Sequence, residues 1–536
     1  MLAFWRRRSF WTGAAIFAAA AGLRLALVQT ARFTGDEARD YAIGMDIAHG
    51  VRFPLLGPVI TSGAAKLPGP FSYWLAAFPQ LFTRAPEAGN AFFELLGAAS
   101  VWMFWYGLRR PFGDAAAAFA AALLAFSPWS ALFGDRVWNP NAFLCFEGLA
   151  LLAVIKLRER PASAWAAVLP VACLVLPQLH SSAPVVWLAL VPLAYGHVRR
   201  WNRRHLALGF VLAALLYVPL AIHEAQTGFG NTRAFIAETV GGHKKATGMT
   251  LSFLLSPIYS LRFLTLDVTY HELSGYWGGL NEPAAWQALW HGSPPRPFHP
   301  LRLLALIASG LLLLLAAAAA VRAALARPGP PSDMGPADPT GPTTAAGAAR
   351  GPDDGQSLRP YAMAALVAVV ANVALLAVTS KQVFAHYVTP TMPFVFFVFA
   401  AGARAAFADR RLKVALLGLA TIVCVGGVEA TLSISRRVDG RNGLAVHRAV
   451  ARRVLDDCAA QARALGDCPV RLDFGFPAML YTHGIFSRVA LETPIRWEAN
   501  PNGFAYRLQK REDPPPPAAS AFPTTALGPV KVYRLK

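Results

Sequence analysis

Long apolar runs, interrupted by short polar or basic segments, dominate the chain between residues 10 and 431. A helix rising 1.5 Å per residue needs roughly 20 apolar residues to cross a bilayer core of ~30 Å. On that measure the runs near 10–30, 91–108, 114–132, 140–156, 163–179, 183–197, 206–222, 299–321, 360–379, 388–407 and 414–431 each predict one crossing, about eleven in all. Four stretches interrupt or follow them. Residues 324–358, rich in Pro, Gly, Ala and Asp with few large apolar side chains, predict a disordered linker. Loops at 31–90 and 223–298 are long enough to have structure of their own. In the tail at 432–536 a helical stretch, Ala445 to Ala464, precedes strand-like runs at Val470 to Phe474, Arg488-Val489-Ala490-Leu491 and Val530-Lys531-Val532-Tyr533, which predicts a small mixed α/β domain.

Composition agrees with the pattern. The 536 residues are 55% hydrophobic and 15% charged, with a mean hydropathy of +0.40, values that exclude a soluble globule and give a polytopic α-helical membrane protein. A formal charge of +20 would point to nucleic acid in a soluble domain. Here many of the cations sit in short clusters between apolar runs: Arg6-Arg7-Arg8, Arg109-Arg110, Lys156 to Arg160, Arg199 to Arg204, Arg322 to Arg359 and Arg410 to Lys413. All fall on one side when the runs are threaded in turn, the positive-inside pattern, and nucleic acid drops out as a partner. The linker at 324–358 is then inside; the loops at 31–90 and 223–298 and the tail are outside. A basic start before an apolar run also begins a secretory signal, but the length of this run and the ten behind it predict an uncleaved first helix.

Of the five cysteines, Cys145, Cys173 and Cys424 lie within apolar runs, where a small apolar thiol is ordinary. Cys458 and Cys468 lie in the tail, a pair compatible with a disulfide in an oxidising compartment or with two unrelated thiols. The Ala- and Arg-rich composition suggests a bacterial inner membrane, with the outer face in the periplasm.

Asp36-Glu37, in Thr34-Gly35-Asp36-Glu37-Ala38, comes just after the first apolar run. A carboxylate at the membrane edge under a roof of loop can accept a proton from an attacking alcohol; an acidic pair also suits the N-terminus of a helix. Taken with Lys66-Leu67-Pro68-Gly69-Pro70-Phe71-Ser72-Tyr73-Trp74, the pair resembles the first-loop pattern of bacterial relatives of protein O-mannosyltransferases and lipid A aminoarabinose transferases. These are GT-C membrane glycosyltransferases, which use polyprenyl-phosphate sugars. Further outside stretches are similar in order and side: Asp135-Arg136-Val137-Trp138-Asn139-Pro140-Asn141, Gln178-Leu179-His180-Ser181-Ser182, and Lys381-Gln382-Val383-Phe384-Ala385-His386-Tyr387-Val388-Thr389-Pro390.

The resemblance implies a GT-C-like transmembrane domain over 1–431, followed by the domain at 432–536 on the outer face. It implies a hexosyl or pentosyl transferase that takes a polyprenyl-phosphate-linked sugar to a hydroxyl of a lipid, protein or glycan acceptor. Asp36 becomes the base and Glu37 its support; Lys66 becomes the partner of the lipid phosphate. Physically, a sugar with oxocarbenium character gains from nearby negative charge and a departing phosphate from fixed cations. Arg136 and Lys381 are further outside cations, which also suit snorkelling at the headgroups. Asp135 could orient Arg136 or line the donor pocket, while His180, His386 and Tyr387 complete the substrate-binding candidates.

No cofactor is implied. Ala64-Ala65 stand where some relatives have an acid before the first-loop Lys, and His271-Glu272 lack the spacing of a metal motif, so no metal is assigned. Tyr270, Tyr276, Trp277, Trp286 and Trp290 suit either sugar stacking or an interfacial belt. The alternative function is a secondary transporter or lipid flippase. Such proteins carry internal repeats and mid-membrane charges, whereas the distinctive acids here gather on the outer side.

Overall fold

The computed structural model describes residues 2–31, 35–60, 64–83, 85–132, 134, 136–240, 300–325, 358–379, 385–437, 470–474, 504–510, 524–527 and 530–534. It is mostly helical. The first half runs through α1 (Leu2–Leu25), α2 (Gly35–Ala48), α3 (Phe71–Gln80), α4 (Pro86–Phe112), α5 (Asp114–Phe126), α6 (Pro128–Leu132), α7 (Phe143–Glu159), α8 (Trp165–Leu179), α9 (Ala183–Ala194), α10 (Arg203–Leu215), α11 (Val218–Thr227) and α12 (Gly230–Val240). Helices Pro300–Leu325, Arg359–Thr379, Met392–Ala406 and Arg410–Arg437 follow.

The longest helices have ends that suit them. α4 starts on Pro86 with Glu87 in its first turn and closes with Arg109 and Arg110, placing charge of the favourable sign at each end of the helix dipole. By length and apolarity, six helices among the described residues can cross a membrane: Pro86–Phe112, Asn139–Glu159, Leu303–Val321, Arg359–Leu376, Tyr387–Ala406 and Arg410–Ser433. A seventh arises if α10 and α11, bent by 49° at their junction, count as one span. Pro219 in the first turn of α11 explains the bend, since it cannot donate to the preceding turn and its ring crowds that turn's carbonyl.

Four shorter apolar helices, Phe10–Leu25, Asp114–Phe126, Trp165–Leu179 and Ala183–Ala194, coincide with the remaining runs. None reaches the length of a straight crossing, so the count by length is six or seven rather than eleven. Proline accounts for one of the ends, since Ser127-Pro128 closes α5; Pro170, Pro177 and Pro192 lie inside the continuous helices α8 and α9.

α1 packs on α4, α4 on α5 and α7, α7 on α8, and α8 on α10; Pro300–Leu325 lies against both Met392–Ala406 and Arg410–Arg437. Aromatic side chains fill the joints, with Phe104 and Phe112 stacked against Phe397. The outward faces remain apolar: Leu303, Ile307, Leu311, Leu314, Val414 and Leu417 are all exposed. Such a surface is costly in water and natural in lipid. The chain is a multi-pass membrane protein.

In the tail, β1 (Val470–Phe474), β2 (Phe504–Lys510), β3 (Thr524–Leu527) and β4 (Val530–Arg534) form one sheet in the order β1-β2-β4-β3. β1 runs parallel to β2, and the other pairs are antiparallel. Two of the three strand-like runs therefore coincide with strands. The third run, the helical stretch 445–464, Cys458 and Cys468 lie outside the described residues, as does the linker 326–357.

Candidate functional site

The segment between α1 and α4, expected as loop, contains two helices and a small hairpin. Asp36-Glu37 opens α2, so the two readings of the pair coincide in space: these acids sit in the first turn of a helix, where the dipole favours negative charge. Helical spacing separates them. Asp36 is exposed and Glu37 buried. One turn on, Arg39 donates to Asp36 Oδ1 through Nη1 at 2.7 Å, and to Asp40 Oδ1 through Nε at 2.9 Å and Nη2 at 2.7 Å. Asp40 is 1% exposed, and its Oδ2 has no hydrogen bond among the described residues. Burial pushes the Asp40 carboxyl up to about 7, with Arg39 working against the rise. Burial also disfavours the Arg39 cation, but Asp40 and Asp36 outweigh it and raise the guanidinium above its ordinary value.

Glu37 faces the other way, toward the segment before α7. Its Oε1 lies 3.6 Å from Arg136 Nε, with the Arg136 side chain wholly buried. Arg136 also donates to the Leu132 carbonyl through Nη2 at 3.4 Å, and its guanidinium lies 5.8 Å from the Trp138 ring centre. Arg136, by sequence a candidate for stabilising the phosphate, is buried beside Glu37, where a carboxylate at this depth gains from a countercharge. Asn90 on α4 anchors the arrangement: its Oδ1 accepts the Val137 N–H at 3.3 Å, and its Nδ2 donates to the Val28 carbonyl at 3.4 Å.

α2 is seated on α3 at a close crossing. A Cβ on Gly44 would lie 2.8 Å from Gln80 Nε2 and 2.9 Å from the Ala76 carbonyl carbon, so only glycine lets the helices meet there. Gln80 Nε2 also donates to the carbonyls of Tyr41 and Ala76, each at 3.0 Å. Tyr73 on α3 is buried beside Arg39 and Asp40, where burial first and then the Asp40 charge hold its phenol protonated above the usual tyrosine range.

Lys66 belongs to the hairpin. Val59 and Lys66 are bridged, with Ile60 N–H to the Ala65 carbonyl and Leu67 N–H to the Pro58 carbonyl, both at 2.8 Å. From α12, Asn231 Oδ1 accepts the Lys66 N–H at 2.8 Å and Asn231 Nδ2 donates to the Lys66 carbonyl at 3.1 Å, while Glu238 Oε1 accepts the Ala65 N–H at 2.7 Å. The Lys66 side chain is exposed. Among the described residues its ammonium group makes no hydrogen bond or ion pair.

Gln178 on α8 holds the strap that follows. Its Oε1 accepts the Phe71 N–H at 3.3 Å, and its Nε2 donates to the Leu216 carbonyl at 3.2 Å, at the α10 to α11 bend. Gly69 lies between, at φ +128, and a Cβ there would overlap the Gln178 amide. Both space and backbone therefore require glycine.

His180 follows α8 in a buried position. Its Nδ1 accepts the Ser182 N–H at 3.2 Å and lies 2.6 Å from Ser182 Oγ. Burial lowers its pKa to about 4, so the ring is neutral near pH 7 and, with Nδ1 accepting, carries its hydrogen on Nε2. The ring sits 5.3 Å from that of Tyr387 and 6.2 Å from that of Phe143. His386 shares the 3-10 helix Ala385–Thr391 with Tyr387. Asp135, Lys381 and the 241–299 stretch with its aromatics and His271-Glu272 lie outside the described residues. Among the described residues no three His, Cys, Asp or Glu side chains are grouped to hold a metal ion.

The structure thus joins Asp36 with Arg39 and Asp40, Glu37 with Arg136, and His180 with Tyr387. Arg39, Asp40 and Asn231 are participants that motif reading did not single out, and Gln178 was quoted in a stretch without being given a role. Asp36, Arg39 and Asp40 stand three and four residues apart, a spacing that signals a shared helix face once the segment is recognised as helical. Asn231 had no signal in sequence.

No family model matches the sequence, and no curated protein matches it either. Solved structures do. The ArnT of Cupriavidus metallidurans bound to undecaprenyl phosphate matches with a TM-score of 0.53 and 14% identity over 98% of this chain and 98% of its own. The same protein in the apo state matches with a TM-score of 0.53 and 14% identity over 98% of this chain and 97% of its own. The chain has the fold of a GT-C membrane glycosyltransferase.

Proposed function

We propose that the chain is a glycosyltransferase that moves a hexosyl or pentosyl unit from a polyprenyl-phosphate donor to an acceptor hydroxyl on the periplasmic face of a bacterial inner membrane. In this reading the apolar runs make eleven crossings, the shorter helices crossing with the help of their flanking segments, and the tail forms an α/β domain on the outer face. The observation that carries it is a graded set of acids in α2 on the same inter-helix segment as Lys66, whose ammonium group has no partner among the described residues. The GT-C fold supports it, since a solved structure of that fold contains undecaprenyl phosphate.

Asp36 is the base. Its Oδ1 is held by Arg39 and its Oδ2 has no hydrogen bond among the described residues, leaving an oxygen for the acceptor proton. As the acceptor oxygen bonds to the anomeric carbon, the hydroxyl proton passes to Asp36 and the bond from carbon to phosphate oxygen breaks. The electron pair leaves with the phosphate, and the Lys66 ammonium group stabilises the charge that develops there. Glu37 does not touch substrate in this scheme; through Arg136 it fixes the orientation of the first turn of α2. His180 and Tyr387, and by sequence Asp135, Lys381 and His386, line the donor pocket.

Purified protein supplied with a polyprenyl-phosphate sugar tests this directly. Asp36→Asn abolishes transfer while donor binding persists; full activity in that variant would overturn the assignment. Mass spectrometry of envelope lipids and glycans with and without the gene identifies the sugar and the acceptor.

A further inference from the structure

At the opposite end of the bundle α1 and α4 enclose a groove of about 470 Å³, within the size range of small-molecule sites. It lies near the basic clusters Arg6-Arg7-Arg8 and Arg109-Arg110, hence at the cytoplasmic face. Phe10, Phe17, Trp102, Trp105 and Tyr106 form its wall, and Arg109 is the one charged group in the lining among the described residues. Trp102 and Tyr106 are stacked at 5.3 Å with their planes 5° apart. The Arg109 guanidinium lies 5.3 Å from the Trp105 ring centre and 5.4 Å from that of Tyr106. Its Nε faces Asp114 Oδ1 at 3.3 Å, and its two terminal nitrogens have no hydrogen bond among the described residues.

The surrounding charge leans positive. Glu159 is shared by Arg110 and Lys156, each at 3.0 Å, and Lys156 Nζ also lies 4.4 Å over the Tyr106 ring. Two carboxylates, Asp114 and Glu159, therefore face three cations. The groove is an apolar, ring-walled slot with a guanidinium over two of its rings, which is the complement of an acyl chain attached to a phosphate. An aromatic wall with a cation at headgroup depth suits a lipid better than a soluble anion, which would leave the apolar wall uncovered.

We propose that this groove binds an anionic phospholipid of the cytoplasmic leaflet, one acyl chain lying along the ring wall and the phosphate resting on the terminal nitrogens of Arg109. The inference is independent of the transferase reading, because the groove belongs to the other face of the membrane. Native mass spectrometry of the delipidated full chain, titrated with phosphatidylglycerol or phosphatidylcholine of matched chains, tests it. The wild type prefers phosphatidylglycerol by about fivefold, and Arg109→Gln removes the preference. Ala14→Phe, which fills the groove from a half-buried position, weakens both lipids. Asp114→Asn, which removes the competing carboxylate, keeps or increases the preference, and millimolar inorganic phosphate does not displace the lipid. Equal binding of the two lipids, or a preference that survives in Arg109→Gln, overturns the proposal. So does a chain that pairs with a second copy and excludes lipid from the groove.

Discussion

In α2 the charged side chains satisfy one another: Arg39 joins Asp36 to Asp40, and Arg136 meets Glu37 in the interior. Around Lys66 the side chains of α12 hold the backbone, and the ammonium group is left without a protein partner among the described residues. The difference teaches how opposite charges can share a small region without cancelling. In the proposed function an acid on Lys66 would have to be displaced by the donor phosphate. Fixing the main chain instead would leave the cation's charge for that ligand while limiting where it can be.

The contrast breaks most severely at the buried pair. Arg136→Ala removes the wholly buried guanidinium that faces Glu37 and costs about 3–5 kcal/mol, read as a large drop in melting temperature in detergent. Arg136→Ala with Glu37→Gln together should recover much of that loss; no recovery would mean that the two side chains act separately. Next comes the backbone clamp. Asn231→Ala removes two hydrogen bonds to Lys66 and costs about 1–3 kcal/mol locally. It should weaken polyprenyl-phosphate binding nearly as much as Lys66→Ala does, although Asn231 meets only the Lys66 main chain. Unchanged donor affinity in Asn231→Ala would show that the hairpin holds its shape unaided.

A third effect, read against pH, concerns Asp40. Folded, its carboxyl keeps a proton up to about pH 7, whereas unfolded it loses that proton near its ordinary 3.8. The folded chain binds the extra proton across this window, so the group's contribution to stability is present at low pH and lost as pH rises toward 7. The melting temperature should decline across that range in the wild type and decline less in Asp40→Asn. An identical pH dependence in both would assign the titration elsewhere.

The helices were legible because lipid demands long apolar runs whatever they pack against; each predicted run coincides with an apolar helix or bent pair. Their lengths were less so, since Ser127-Pro128 ends α5 within a run that hydropathy averages across. Asp36 and Glu37 were found as a pair, but their division into an exposed and a buried acid depends on α2, which a loop reading could not supply. The burial of Arg136 was out of reach for a different reason. A cation beside a membrane run looks the same in sequence whether it meets headgroups or a partner 99 positions away. Gln178 was quoted within a motif, yet its role depends on the bend at Leu216, a tertiary feature.

The bond between Lys66 and Asn231 spans 165 positions of chain, and this sets an order of events during synthesis. When the hairpin first emerges on the far side of the membrane, the helix that will clamp it has not been made, and several further segments must be inserted before α12 arrives. Until then the cation and the acids of α2 are not in their final relation. A chain truncated before α12 should therefore insert its early helices and expose Asp36 while lacking a fixed Lys66. The completion of the proposed site is in this sense a late event, timed by the ribosome rather than by the early helices themselves.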